Sequence, residues 1–363
     1  MNIILDNIIF SIQESGGISV YWYHLVQQLI QDDKFNVSYI DAKNSDKNIF
    51  NNRIKYKDCM LIGKKTVPVL DRYLNLELSN SKDLSVFHSS YYRISKNQNH
   101  VNITTIHDFT YEHFNSGLKL LIHNNQKKTA ILNSDGIVCI SENTKKDLLK
   151  FIPEASEKKI RVIYNGVDEI FKQLPLSEFN DSNFPFKVFS YILYVGDRSS
   201  EYKNFKMAVL ASKLANKQLA IVGGGILTEK EIAFLNSNLI DSNYQHFNNV
   251  SIEKLNVLYN FAHCLLYPSV YEGFGIPPLE AQRAGCPVVA FRASSIPEVV
   301  GEGAILIKEN NPEAFVKAIL SLDDKNVRAQ LISKGSLNVA SFSWQKTYLE
   351  TIEFYAEIMS TRE

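Results

Sequence analysis

Short apolar, β-branched runs alternate with longer amphipathic segments along nearly the whole chain, and this alternation constrains the fold most. In the first half the strand candidates are Ile3–Leu5, Val37–Ile40, Cys59–Ile62, Val86–His88, Ile103–Ile106, Ile137–Ile140 and Ile160–Ile163. In the second half they are Tyr191–Val195, Leu219–Val222, Cys264–Tyr267, Pro287–Ala290 and Ile305–Ile307. Helical spacing falls between them, as in Val20–Ile30, Thr144–Phe151, Asn204–Asn216, Ile252–Ala262 and Leu279–Ala284. Strand–helix alternation predicts an α/β fold with parallel sheets and right-handed crossovers.

The series restarts once. The seam lies at about residues 168–190, where Asp168 to Lys187 is polar, carries Pro175 and Pro185, and precedes a fresh strand. The sequence therefore predicts two Rossmann-like, doubly wound domains: residues 1–170, a linker over 171–190, and residues 191–342. Residues 343–363 form a last helix able to cross back to the first domain. Its apolar positions Tyr348, Ile352, Tyr355 and Met359 predict a packed face.

Charge excludes one class of partner. Lys and Arg number 39, and so do Asp and Glu, with no strong excess in either half, so no nucleic-acid partner is expected. Cys59, Cys139, Cys264 and Cys286 form no CxxC pair, and the last three lie in or beside apolar runs, where buried free thiols are expected. The N-terminus lacks the basic region of a signal peptide, and no run of about 18 apolar residues exists. The expected location is cytoplasmic, with association at the inner face of a membrane left open, as is oligomeric state.

The most informative stretch is Ser269-Val270-Tyr271-Glu272-Gly273-Phe274-Gly275-Ile276-Pro277-Pro278-Leu279-Glu280-Ala281. It follows an apolar strand, and open α/β sheets bind ligands at the carboxyl ends of their strands. Gly273 and Gly275 permit close backbone approach, and Pro277 and Pro278 suit the first turn of a helix. Amides from Phe274 onward would then point out of a helix N-terminus, ready for an anion or hydroxyl oxygens. Glu272 lies before that helix and Glu280 about one turn inside it. By itself the stretch is equally a tight structural loop, with Glu280 merely helping the helix dipole.

Glu272, seven residues, then Glu280, within Glu-Gly-Phe-Gly-Ile-Pro-Pro-Leu-Glu-Ala, resembles the signature of the family-four retaining glycosyltransferases. The continuations Ala284-Gly285-Cys286-Pro287-Val288-Val289-Ala290 and Ile296-Pro297-Glu298-Val299-Val300-Gly301 are similar to that family as well. The resemblance implies the GT-B architecture, two Rossmann-like domains facing a central cleft. It implies Glu272 at the donor sugar and Glu280 at the nucleotide ribose. The backbone amides of Phe274, Gly275 and Ile276 would hold sugar hydroxyls and phosphate.

A second stretch, Tyr194-Val195-Gly196-Asp197-Arg198 followed by Tyr202-Lys203-Asn204-Phe205, ends the first strand of the second domain. Two cations at a strand end suit a diphosphate, Arg bidentately and Lys as a point charge. The resemblance implies that role for Arg198 and Lys203, although Glu201 between them departs from the family's plainest pattern. In the first domain Ser15-Gly16-Gly17-Ile18 precedes a helix. Similar family members use this loop near the donor or acceptor, although their Gly-Arg-Tyr reads Ser19-Val20-Tyr21 here. His107-Asp108 closes a strand; a lone histidine is usually just packed or exposed, but this position and the resemblance together imply His107 near the donor sugar, with Asp108 orienting it or capping the next element. Ile140-Ser141-Glu142-Asn143-Thr144 reads as a strand running into a helix capped by Ser141, and Tyr164-Asn165-Gly166-Val167-Asp168 as a turn.

The implied activity moves a hexose or deoxyhexose from a nucleotide diphosphate sugar to a glycan or lipid-linked glycan hydroxyl, with retention, in surface-polysaccharide biosynthesis. GDP, UDP and dTDP donors stay equally open. Neither a cofactor nor a metal is expected, since no Asp-x-Asp motif is present. The alternatives are a sugar-nucleotide epimerase, a phosphorylase or a non-enzymatic sugar-binding protein.

Overall fold

The computed structural model describes residues 1–56, 72–78, 83–179, 184–240 and 243–362. The expected strand Cys59–Ile62 lies outside the described residues. The chain divides into two compact units, one of Met1–Gly166 with Ser343–Glu363, the other of Val167–Phe342.

The first unit is built on strands β1 (Asn2–Asp6), β2 (Asn36–Ile40), β3 (Ser85–Ser89), β4 (His100–Ile106), β5 (Gly136–Cys139) and β6 (Lys159–Val162). They form one parallel sheet in the order β2-β1-β3-β4-β5-β6. Every residue of β3, β4 and β5 is buried, as expected when helices cover both faces of a parallel sheet. Ser141 accepts the amide of Thr144 at 3.0 Å and caps the helix Glu142–Phe151.

The helix Trp344–Ser360 packs in this unit, with a buried face one residue away from the expected one. Tyr348 and Tyr355 are buried, but Thr351 and Ile358 replace Ile352 and Met359 on that face. Thr351 tolerates burial because its hydroxyl donates to the Thr347 carbonyl at 2.7 Å. Gly166 fits where this helix begins, since a Cβ there would meet the Trp344 nitrogen at 2.1 Å. The segment 164–168, expected as a turn, carries no turn in the structure, and the chain leaves the first unit within it.

The second unit holds β7 (Tyr191–Val195), β8 (Gln218–Val222), β9 (Tyr244–Phe247), β10 (Cys264–Tyr267), β11 (Val288–Phe291) and β12 (Ala304–Ile307). Its parallel sheet runs β12-β11-β10-β7-β8-β9, the Rossmann order 3-2-1-4-5-6 counted from β7. The expected helix Asn204–Asn216 spans Phe205–Ala215, and both flanking asparagines adopt left-handed φ, 53° and 50°. Edge strand β9 and the helices Glu229–Asn238, Pro312–Ser321 and Lys325–Val339 were not anticipated. Strand β9 reads Tyr-Gln-His-Phe and is only partly buried, which removes the apolar signal of a central strand. Cys139, Cys264 and Cys286 are buried free thiols. No described helix is long and apolar enough to cross a membrane.

Candidate functional site

The switch point of the second sheet lies between β7 and β10, where successive crossovers leave in opposite directions and open a crevice at the strand ends. From β7 the chain runs through Gly196 to a short turn, Glu201–Lys203, before its helix. That turn is tied to the β10 side: the Val270 amide donates to the Tyr202 carbonyl at 2.8 Å, and Asn204 Nδ2 to the Pro268 carbonyl at 3.3 Å. Lys203 Nζ consequently reaches both oxygens of Glu272, at 2.7 and 2.8 Å. The lysine side chain is 17 % exposed and the glutamate 9 %.

The Glu272 loop is pinned from below. Ser294, itself at a left-handed φ of 47°, accepts the Glu272 amide at 2.7 Å. The buried Ser295 hydroxyl lies 2.9 Å from the carbonyls of both Glu272 and Phe274. Neither serine was singled out from the sequence; a Ser-Ser pair directly before Ile296-Pro297 was the available signal.

Gly275 precedes the helix Ile276–Arg283 with φ 101°, where a side chain would be strained and its Cβ would meet Ile296 Cδ1 at 3.0 Å. Pro277 and Pro278 have no N–H, so the amides remaining at this N-terminus are those of Gly275 and Ile276. Glu280 sits one turn further on and accepts the Tyr259 hydroxyl at 2.8 Å. Burial raises its carboxyl to about 7 despite that hydrogen bond, with Asp168 pushing in the same direction as burial. Tyr259 was also missed in the sequence, since it lies on a different helix, Ile252–Asn260.

Arg198 takes a different set of partners from Lys203. Its Nε donates to Glu231 at 2.8 Å, and its terminal nitrogens reach the carbonyls of Gly223, Gly224, Gly225 and Ile226 and the Nε2 of His246. A guanidinium has five N–H donors, and here all are engaged by protein, with the side chain 1 % exposed. The two cations read as one diphosphate clamp therefore go to opposite sides of β7: Lys203 toward β10, Arg198 toward β8.

In the first unit His107 follows β4, buried, with its ring edge-on to Tyr21 at 5.1 Å. Burial lowers its imidazole to about 4, so it is neutral at physiological pH. Asp108 accepts the Thr110 amide at 2.9 Å in the turn before the helix Thr110–Phe114, whose N-cap position is Phe109. Lys127, itself buried, donates to the Asp108 carbonyl at 3.0 Å and to both oxygens of Glu112 at 2.8 and 2.9 Å, bracing that loop. Gly16 directly precedes the helix Gly17–Gln31, but a short helix, Ile9–Ile12, intervenes between it and β1. Among the described residues no group of three or more His, Cys, Asp or Glu side chains is placed to hold a metal.

Two parallel Rossmann-like sheets with ligand-type strand ends define a GT-B protein. Sucrose-phosphate synthase from Thermosynechococcus elongatus shares the fold with a TM-score of 0.80 at 17 % identity, over 99 % of this chain and 100 % of that one. Residues 15–170 match the Glycosyltransferase Family 4 model and residues 178–337 the Glycosyl transferases group 1 model. The chain belongs to this glycosyltransferase family. The O-antigen chain mannosyltransferase B of Escherichia coli is 40 % identical over 104 residues, 28 % of this chain and 27 % of that protein. The O-antigen chain mannosyltransferase RfbU of Salmonella typhimurium is 28 % identical over 200 residues, 54 % of this chain and 53 % of that protein. The chain thus matches about a quarter and about half the length of these curated relatives.

Proposed function

We propose that the chain is a retaining, metal-independent hexosyltransferase that moves a hexose or deoxyhexose from a GDP-, UDP- or dTDP-linked donor to a hydroxyl of a glycan or lipid-linked glycan. The observation that carries this reading is the Lys203–Glu272 pair at the β7/β10 switch point, beside the helix N-terminus at Gly275 and Ile276. The two O-antigen mannosyltransferase relatives support surface-polysaccharide biosynthesis as the setting.

In the proposed reaction the bond from the anomeric carbon to the leaving phosphate oxygen breaks, and its electron pair goes to that oxygen. Lys203 and the Gly275 and Ile276 amides stabilise the charge that develops there. Glu272 positions the sugar as it flattens toward an oxocarbenium-like ion pair, and Glu280 accepts ribose hydroxyls. The acceptor hydroxyl attacks from the face the phosphate is leaving and passes its proton to that phosphate oxygen, which gives retention. His107, neutral, orients a donor hydroxyl, and Gly16 and Gly17 contact the donor. Residues 1–170 serve the acceptor, and 191–342 the donor. Peripheral association with the inner face of a membrane fits the apolar side chains Phe114, Leu121 and Ile122, which are 48 %, 65 % and 47 % exposed in the first unit.

The decisive experiment incubates the protein with each nucleotide sugar, with and without a lipid-linked glycan. Acceptor-dependent release of nucleoside diphosphate, with the sugar recovered on the acceptor, is expected. Epimerised donor, phosphate-dependent sugar release or binding without turnover would each replace this reading with one of its rivals.

A further inference from the structure

We infer that Lys127 is a positioning residue for His107, joined to Glu112 as a buried ion pair that fixes the loop after β4 and keeps a cation beside the imidazole. The pair lies almost wholly out of water, with the lysine side chain 1 % exposed and the glutamate 5 %. An ammonium has three N–H donors. Lys127 directs them to both Glu112 oxygens, at 2.8 and 2.9 Å, and to the Asp108 carbonyl at 3.0 Å. Its Nζ also lies 4.3 Å from the centre of the Phe109 ring and 5.4 Å from that of Tyr92, and aromatic faces attract a cation.

These contacts grip one short segment from outside it. Asp108 and Phe109 follow His107 directly and Glu112 sits in the helix Thr110–Phe114, whereas Lys127 belongs to the helix Leu118–Leu132. The helix Glu142–Phe151 holds the same segment again, with Phe151 stacked on Phe109 at 5.5 Å and Asp147 3.2 Å from His113 Nε2. Packing alone does not call for a charge here. A buried ion pair adds little net stability over apolar side chains of similar volume, so what Lys127 supplies is a fixed carbonyl and a positive charge. Among the described residues the charges acting on the His107 ring are those of Asp108 and Lys127. Tyr21, on the helix Gly17–Gln31, and His88, in β3, lie near it and are neutral. Burial does most to keep the imidazole neutral; Asp108 favours a proton on it and Lys127 opposes one, so the lysine offsets the neighbouring carboxylate. Glu112 is not among the groups acting on the ring, so neutralising both ends of the pair removes a cation from beside it.

The inference rests on the donor reading for its effect on turnover, but not for its effect on the imidazole. Lys127→Met with Glu112→Gln, Lys127→Gln with Glu112→Gln, and Lys127→Arg are compared with the unaltered protein. Thermal unfolding identifies the folded variants, and either neutral pair suffices. Histidine-labelled protein without ligand is followed by NMR, His107 being assigned through His107→Gln. At pH 5 the protonated fraction of His107 is expected to rise about three-fold in the neutral pairs, a shift of about half a pH unit, and to stay unaltered in Lys127→Arg. With the donor that turns over, kcat should fall about ten-fold in the neutral pairs, affinity for the free nucleoside diphosphate should hold, and Lys127→Arg should recover most of kcat. Unchanged kcat in a folded neutral pair would overturn the inference, and so would lost kcat with an unmoved His107, which would make the pair a structural brace only. If neither neutral pair folded, a raised protonated fraction in Lys127→Arg would overturn it and an unaltered one would support it. If no donor were turned over by the unaltered protein, the donor reading would fall while the His107 titration still decided the role of Lys127.

Discussion

Lys203 and Glu272, 69 residues apart in sequence, meet as a nearly buried ion pair at the end of the two strands where the second sheet reverses its order. The lysine is held by the carboxylate assigned to the sugar, so it is fixed in place before any phosphate arrives. That preorganisation has a cost, because each charge depends on the other for its burial.

Lys203→Ala is therefore expected to do two things. Nucleoside diphosphate affinity should fall about ten- to a hundred-fold, as one charge-assisted contact is lost. Stability should also fall, by about 3–5 kcal/mol, because Glu272 is left buried without a counter-charge. Adding Glu272→Gln to Lys203→Ala should restore much of the melting temperature but none of the affinity. Calorimetric titration and thermal unfolding of the three variants separate the effects.

The two glutamates should divide by kinetic parameter. Glu280→Ala is expected to weaken binding of the free nucleotide, and Glu272→Ala to lower kcat more than that binding, which loses only the positioning of Lys203, because the Glu272 contact matters most as the sugar gains charge. Glutamine at each site controls for size. Loss of nucleotide affinity with kcat retained in Glu272→Ala would reverse the assignment.

Glu280 should also make binding depend on pH. Its carboxyl is raised to about 7, and only the ionised form accepts both ribose hydroxyls. Affinity should climb several-fold as pH rises from 5.5 to 8 and then level off, with a proton released on binding near neutrality. Glu280→Gln should flatten the profile. Folding stability moves the other way: the unfolded chain loses this proton near 4.5, so charging Glu280 costs stability increasingly from 4.5 to 7 and fully above. Titrations in buffers of different ionisation enthalpy measure the released proton.

Chelation should leave turnover intact, because the proposed reaction assigns the charge stabilisation at the leaving phosphate to Lys203 and the Gly275 and Ile276 amides. Assays with EDTA, then with added Mg²⁺ or Mn²⁺, test this. Activity lost on chelation and restored by metal would show that the lysine and amides are insufficient.

Membrane association should depend on the exposed apolar side chains after β4. Replacing Leu121 and Ile122 by Glu removes two residues whose insertion is worth about 1.5–3 kcal/mol each. Co-sedimentation with anionic phospholipid vesicles should fall more than ten-fold, while turnover on a water-soluble acceptor stays unchanged. Equal sedimentation of variant and unaltered protein would exclude this surface.

Much of the molecule was legible because its signals are local. Apolar runs such as Val86–His88 and Tyr191–Val195 mark strands covered along all or nearly all their length, and the Glu272–Glu280 stretch shows its glycines, prolines and carboxylates within nine consecutive residues. Strand β9 was not legible, since an exposed edge needs no apolar run, and Thr351 hid the true face of the last helix because its hydroxyl is satisfied within its own turn. Tyr259, Ser294 and Ser295 escaped notice for a different reason: each acts on a glutamate 21 to 23 residues away.

The sequence by itself determined the strand–helix alternation, the restart that yields two sheets, and the placing of Glu272, Lys203, Arg198 and Glu280 near strand ends. Local propensity and burial period suffice for those. Tertiary structure alone decided which partner each charge meets, since strand order puts β10 on one side of β7 and β8 on the other. Lys203 and Arg198 stand five positions apart, yet one finds a carboxylate 69 residues away and the other a carboxylate 33 residues away and a turn beginning 25 residues away. A buried charge takes whichever partner the packing brings within about 3 Å, and that partner is set by how the crossovers stack the strands rather than by anything in the neighbouring sequence.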